Sequence, residues 1–152
     1  MDEIHDLRAQ YGADVAVLIV HDPQGCGLAR RVAADAEEAF AVVNHECAVS
    51  MYSLGHEIGH LFGARHDEAT DGTTAPFAFG HGYVNGTKWR TMMSYKQNCG
   101  DCPRIPVWSN PDIVIGGLAA GNASSNNAKV LREQAARVSH FHETLQTLEH
   151  KF

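Results

Sequence analysis

The segment His56-Glu57-Ile58-Gly59-His60-Leu61-Phe62-Gly63-Ala64-Arg65-His66 places three imidazoles and one carboxylate at spacings that suit a catalytic divalent ion. Residues four apart lie one turn above each other on an α-helix, so His56 and His60 can aim two nitrogens at one metal. Glu57 then sits beside the metal without binding it. From there a carboxylate can take a proton from a zinc-bound water and later deliver it to a leaving amine. His66 lies too far past His60 to share that helical face, so the chain must turn first. Gly63 permits the turn, because glycine tolerates the left-handed conformation that ends many helices. Three nitrogen ligands leave a fourth tetrahedral position open, as catalytic zinc sites do and structural ones do not. The fixed positions arise by accident in roughly one chain of this size in ten thousand, so the extended pattern outranks a bare H-E-x-x-H.

A second signal lies at Thr91-Met92-Met93-Ser94-Tyr95. With both motifs in place the chain resembles the metzincin clan of zinc endopeptidases, in which the long histidine motif is followed by a tight methionine-bearing turn beneath the metal. Its layout is similar to that of reprolysin-like members and of the secreted bacterial peptidyl-Asp metalloendopeptidases. The resemblance implies an α+β fold: a twisted mixed sheet, an active-site helix, a methionine turn and a long C-terminal helix. It implies that Met93 floors the metal site and that the Tyr95 phenol swings between zinc and the tetrahedral oxyanion. Met92 reads as ordinary core filling. Asp67, directly after the third histidine, resembles the acidic residue of reprolysin-like members and is expected to make a buried structural hydrogen bond. Residues 104–111 correspond to the stretch that in metzincins helps wall the pocket just after the cleaved bond. One departure is that the clan fold usually begins with a strand before its first helix, whereas this chain opens on the helix, so part of the sheet is expected to be missing or rebuilt.

The chain has 152 residues, enough for one domain with a sizeable core, and its 44% hydrophobic content is ordinary for a globular protein. A single catalytic domain is expected, with an upper subdomain over 1–63 and a lower one over 64–152. The net charge of −6 and the lack of a Lys or Arg run argue against nucleic acid as a partner. A polypeptide bound in extended form fits better, and a monomer is expected. No apolar stretch approaches the length of a membrane span. The acidic opening Met1-Asp2-Glu3 is unlike a secretory signal, so the sequence reads as a catalytic fragment of a longer secreted precursor. Four cysteines, Cys26, Cys47, Cys99 and Cys102, suit an oxidising compartment and allow three pairings. The favoured one joins Cys26 to Cys47 and Cys99 to Cys102; a metal or redox role for the C-x-x-C pair is the competing reading.

The supporting elements follow from periodicity. Asp2 to Tyr11 reads as a helix stopped by Gly12, Ala13 to Val20 as a buried strand, Asp22 to Gly25 as a turn and Ala39 to Asn44 as a strand. Under the resemblance that second strand is the antiparallel sheet edge above the cleft, to which a substrate can add as another strand, while the sequence alone gives at least equal weight to an ordinary core strand. Ser50 or Ser53 is expected to cap the active-site helix. Gly55 and Gly59 each cost that helix about 1 kcal/mol of intrinsic stability, a sacrifice explained if they allow close approach to the sheet. A hairpin is expected from Ala78 to Val84, through Asn85-Gly86, to Thr87 to Met92. Gly116 to Asn127 reads as a loop, and Val130, Leu131, Val138, Phe141, Leu145 and Leu148 mark one long amphipathic helix. His81, between glycines in a strand, is expected to be structural, and His5, His21, His45, His140, His142 and His150 lack partners at metal spacing.

These readings predict a zinc endopeptidase with His56, His60 and His66 as ligands and Glu57 as base and then acid. Arg104 or Lys96 near the pocket would favour acidic residues after the cut. The alternative is a catalytically silent module that holds zinc as a scaffold and binds a peptide. A structural calcium ion occurs in some clan members, but no oxygen-ligand loop stands out here.

Overall fold

The computed structural model describes residues 2–21 and 24–149. Asp22 and Pro23 of the turn read from the sequence, His150 and the Leu148 side chain lie outside the described residues. The fold is mixed α+β with small sheets. Helix α1 (Asp2–Gln10) leads to β1 (Ala16–Val20), β2 (Gly27–Ala29) and β3 (Phe40–Asn44), which form one sheet in the order β1-β3-β2. A short α2 (His45–Ala48) precedes the site helix α3 (Ser53–Phe62).

Two expectations change here. β3 is the central strand, parallel to β1 and antiparallel to β2, so the antiparallel edge is β2. β1 is the other edge and is only half covered: Leu18, Val42 and Leu28 share one row across the sheet and face solvent. The opposite face carries the core, where Leu61 of α3 is fully buried against Ala34 and Ala41, with Val15, Val17 and Ala29 around them. Arg8 of α1 is buried as well and donates to the main-chain oxygens of Ala13, Asp14 and Ala36.

Neither Ser50 nor Ser53 caps α3. The N-cap is Tyr52, in left-handed backbone (φ 57°) with no side-chain cap bond, while Ser53 is the first helical residue. Gly55 and Gly59 also face something other than the sheet. A Cβ on Gly59 would fall 2.7 Å from the Trp108 ring and 3.2 Å from Met93 Sδ, and one on Gly55 would lie 3.0 Å from Met92 Sδ. The glycines therefore make room for the methionine turn and for Trp108.

The lower part is a series of two-stranded ladders. β4 (Arg65–Asp67) pairs in parallel with β5 (His81–Gly82), and β6 (Val84–Asn85) pairs with β7 (Trp89–Arg90) across Gly86 at φ 52°. The expected hairpin is thus shorter, since its first arm is claimed by the chain carrying His66. β8 (Asn110–Ile115) and β9 (Leu118–Ala120) form a hairpin over Gly116 and Gly117, both at positive φ, where a loop from Gly116 is expected from the sequence. The single long C-terminal helix is two helices, α4 (Asn127–Val138) and α5 (Phe141–Glu149). The Ser139 hydroxyl and His140 Nδ1 both turn back to the Ala136 carbonyl, competing with the helical ladder, and Asp14 Oδ1 accepts the main-chain N–H of His142 at 3.0 Å to start α5. Val138 and Phe141, one from each helix, still meet Ala36 and Ala39 in one apolar cluster.

Helix propensity alone makes Gly59→Ala stabilising by about 1 kcal/mol. Overpacking against the Trp108 ring, at about 1–3 kcal/mol, should outweigh that gain and leave a net loss of up to about 2 kcal/mol, read from the denaturant midpoint. Gly55→Ala should lose less, because the Met92 thioether it meets can swing aside.

Candidate metal centre and cleft

The three histidines of the extended motif meet. His56 and His60 project from α3, which ends at Gly63 (φ 115°); the Gly63 N–H donates to the Gly59 and His60 carbonyls and the Ala64 N–H donates to Gly59. This bend delivers His66 on β4, with its Nε2 3.1 Å from His56 Nε2 and 3.0 Å from His60 Nε2.

Hydrogen bonding at the other ring nitrogens decides what these atoms can do. His56 Nδ1 lies 3.0 Å from the Met92 carbonyl and His60 Nδ1 lies 2.8 Å from the Ala64 carbonyl. A carbonyl oxygen only accepts, so each ring carries its proton on Nδ1 and presents a bare lone pair at Nε2. Burial, then the neighbouring His60, pushes His56 down to about 3, and burial, then His66, pushes His60 down to about 4. His66 is lowered too, by burial first. All three rings are thus neutral near pH 7, as metal ligation requires. At most one N–H can be shared among three Nε2 atoms at these separations, so the donor set fits a divalent ion far better than a hydrogen-bonded cluster.

His81 supports the third histidine. It is almost fully buried and its Nδ1 lies 3.0 Å from the His66 carbonyl, beside the β4–β5 ladder. Asp67, also buried, accepts from the Tyr95 N–H at 2.9 Å, from Asn98 Nδ2 at 2.6 Å and from the Thr70 hydroxyl. It ties the chain after His66 to the chain after the methionine turn. That turn closes with the Ser94 N–H on the Thr91 carbonyl at 3.0 Å, and Met93 within it is fully buried against α3 at Gly59. The Tyr95 ring stands edge-on to His66 with centroids 4.5 Å apart.

Beside the histidines runs a cleft of about 450 Å³, lined by Gly27, Met51, Ser53, Glu57, Tyr95, Lys96 and Arg104 among others. Glu57 is buried, and its carboxyl is raised to about 7 by burial, against hydrogen bonding from the Ala29 main chain and the charge of Arg104. The Tyr95 phenol is likewise raised, by burial and then by Glu57. Within residues 104–111 it is Arg104 that lines the cleft, while Trp108 sits beneath α3 at Gly59. Arg104 donates from Nη1 to the Met51 carbonyl at 2.8 Å and from Nη2 to Ser94 at 3.4 Å, whereas its Nε is buried without a partner. Lys96 is paired with Asp101 at 3.1 Å on the surface.

Gly27 escaped the sequence reading. A Cβ there would lie 2.7 Å from both Glu57 Cγ and Oε1, so the carboxylate rests directly on the β2 main chain. No local signal marks such a glycine, because its neighbour is remote in sequence. The structure also joins Cys26 to Cys47 and Cys99 to Cys102, leaving no free thiol for a metal or redox role.

Fold and site together place the chain among the metallopeptidases. It belongs to metallopeptidase family M12, whose reprolysin-type model matches residues 1–109, and that family implies a metal cofactor. The chain is 49% identical over 142 residues to a peptidyl-Asp metalloendopeptidase of Xanthomonas campestris pv. campestris, covering 93% of this chain and 34% of the relative. It is 48% identical over 147 residues to the protein of that name from Stenotrophomonas maltophilia, covering 93% and 35%. A third, from Pseudomonas fragi, is 44% identical over 99 residues, 63% of this chain and 62% of the relative. The chain thus spans about a third of the length of the first two relatives. It also shares its fold with a chain in the structure of a chaperone–substrate complex, at TM-score 0.68 and 20% identity over 93% of this chain and 22% of that one.

Because only the mobile end of Glu57 obstructs it, Gly27→Ala should fold with a near-normal melting temperature and bind metal normally. Peptide hydrolysis should fall roughly tenfold or more as the carboxylate is displaced, short of the 10²–10⁴ lost when a general base is removed. Steady-state kinetics beside metal analysis checks both halves.

Proposed function

We propose that this chain is the catalytic domain of a secreted, zinc-dependent endopeptidase that hydrolyses internal peptide bonds of an extended polypeptide. The observation that carries the reading is the convergence of the Nε2 atoms of His56, His60 and His66, those of His56 and His60 bare, beside the buried carboxyl of Glu57. Three nitrogen donors with an open fourth position match catalytic zinc. In this reading the architecture is that of a metzincin, with an upper subdomain over 1–63, a lower one over 64–152 and Met93 as the floor of the site. Two disulfides suit an oxidising compartment, and among the described residues no helix is long and apolar enough to cross a membrane. The working unit is a monomer with no nucleic-acid partner.

Zinc, held by His56, His60 and His66, would supply Lewis acidity at the scissile carbonyl and would lower the pKa of water toward neutrality. Glu57 takes the proton of the attacking water and passes it to the nitrogen of the leaving amine. A carboxyl raised toward neutrality by burial is matched to both transfers. The Tyr95 phenol donates to the oxyanion, a contribution of about 3 kcal/mol for a well-placed donor. The substrate lies along β2, whose other side is committed to β3, and extends the sheet by one more antiparallel strand. The relatives' name specifies aspartate, and Arg104 lines this cleft with no salt bridge to a carboxylate among the described residues. Its guanidinium would receive the carboxylate of the residue after the cut.

Glu57→Ala is expected to retain stoichiometric zinc and to lose proteolysis by about 10²–10⁴-fold; unchanged turnover would remove the mechanism. Arg104→Gln should lower kcat/KM for peptides with Asp after the cut by roughly 10–100-fold while leaving matched Ala peptides much less affected. Equal losses on both substrates would show a structural role for Arg104 instead. A silent peptide-binding module is the second reading; the buried Glu57 beside the histidines speaks against it, and a casein assay with and without chelator separates the two.

A further inference from the structure

A second set of metal-binding side chains lies outside the catalytic cleft. β1 and β3 run in parallel with Val20 paired to Asn44, so the next residue on each strand is a histidine, His21 beside His45. Their rings meet: His45 Nε2 is 3.1 Å from His21 Nδ1, with ring centroids 4.9 Å apart. Within the catalytic trio the nitrogen separations are 3.0 and 3.1 Å and the centroids are 4.6 to 5.1 Å apart. Glu46 follows directly, and one donor atom from each of the three residues falls within 4.8 Å of the others.

The frame around them is fixed. Asn44 Oδ1 accepts from the Glu46 N–H at 3.1 Å, and the Asn44 N–H donates to the Cys26 carbonyl at 2.9 Å. Cys47, the next residue, is joined to Cys26, which itself precedes the Gly27 that supports Glu57. Sheet register, a helix cap and a disulfide therefore fix the main chain that carries the three exposed side chains.

We propose that His21, His45 and Glu46 form a second divalent-metal site, distinct from the catalytic one. Two imidazoles and a carboxylate select a borderline ion such as zinc over calcium or magnesium, which take oxygen ligands. All three side chains are exposed, so water completes the coordination and the site is weaker than the buried trio. The ion would clip the ends of β1 and β3 together beside the loop that leads into β2.

The test is a zinc titration of apoprotein free of any histidine tag, against a chromophoric chelator, with metal analysis after desalting. Wild type is expected to take up two equivalents, one tight and one weaker, with the second raising the melting temperature further. His45→Asn should lose the weaker equivalent and its thermal shift while keeping the tight one. His60→Ala should do the reverse. Because His45 is exposed the variant should fold, as its circular dichroism will report, and His21→Asn and Glu46→Gln repeat the test from the other ligands. A single equivalent in wild type would reduce the pair to a hydrogen bond between imidazoles and overturn the proposal. So would a weaker equivalent that survives all three substitutions.

Discussion

The Nε2 of His66 lies 3.1 Å from that of His56 and 3.0 Å from that of His60, so lone pairs on these nitrogens repel one another unless a cation sits among them, and most of the fold around α3 serves to keep the three rings facing inward. Two carbonyl oxygens, of Met92 and Ala64, fix the tautomers of His56 and His60. A left-handed residue at Gly63 turns the chain so that the third ring arrives from a strand instead of the helix. The buried His81 then holds the main chain of that strand. Each of these contacts acts on the three rings from behind, so their convergence is set by hydrogen bonds made on the far side of the facing nitrogens.

The same helix sets the position of the base. With His56 committed to the donor set, Glu57 points toward β2, where Gly27 leaves space for it and burial keeps its proton affinity high. Across the cleft stands Arg104, whose charge opposes that effect. The carboxyl is thus balanced between an apolar wall and a cation, a balance that remote residues set. Asp67 links the two segments, since it directly follows His66 and accepts the main-chain N–H of Tyr95.

Beneath α3 the packing is dense: a side chain at Gly59 would overlap the Trp108 ring, and one at Gly55 would crowd Met92. Gly59 abuts Trp108 and Met93, and Gly55 abuts Met92. The methionine turn presses directly on the helix that carries the ligands, and this close approach explains glycine at two positions where helix propensity disfavours it.

His56, Glu57, His60, Gly63 and His66 were legible in the sequence because their relation is local: one helical period and one turn residue dictate which atoms converge. Met93, Tyr95 and Asp67 were legible through the motif that contains them. The sheet order was not, since the three-residue β2 (Gly27-Leu28-Ala29) carries no strand signal of its own, and which strand becomes the edge depends on its long-range pairing with β3. The break between α4 and α5 was hidden for a similar reason, because a continuous apolar stripe crosses it and the decisive cap comes from Asp14, far earlier in the chain. Gly27 behind Glu57, His81 behind His66 and the meeting of His21 with His45 rest on contacts between distant segments. The sequence by itself determined the convergence of the three histidines, the carboxyl beside them and the bend between them; only the tertiary structure decided which strand borders the cleft and which remote groups orient the site, because those depend on non-local packing that no short-range spacing encodes.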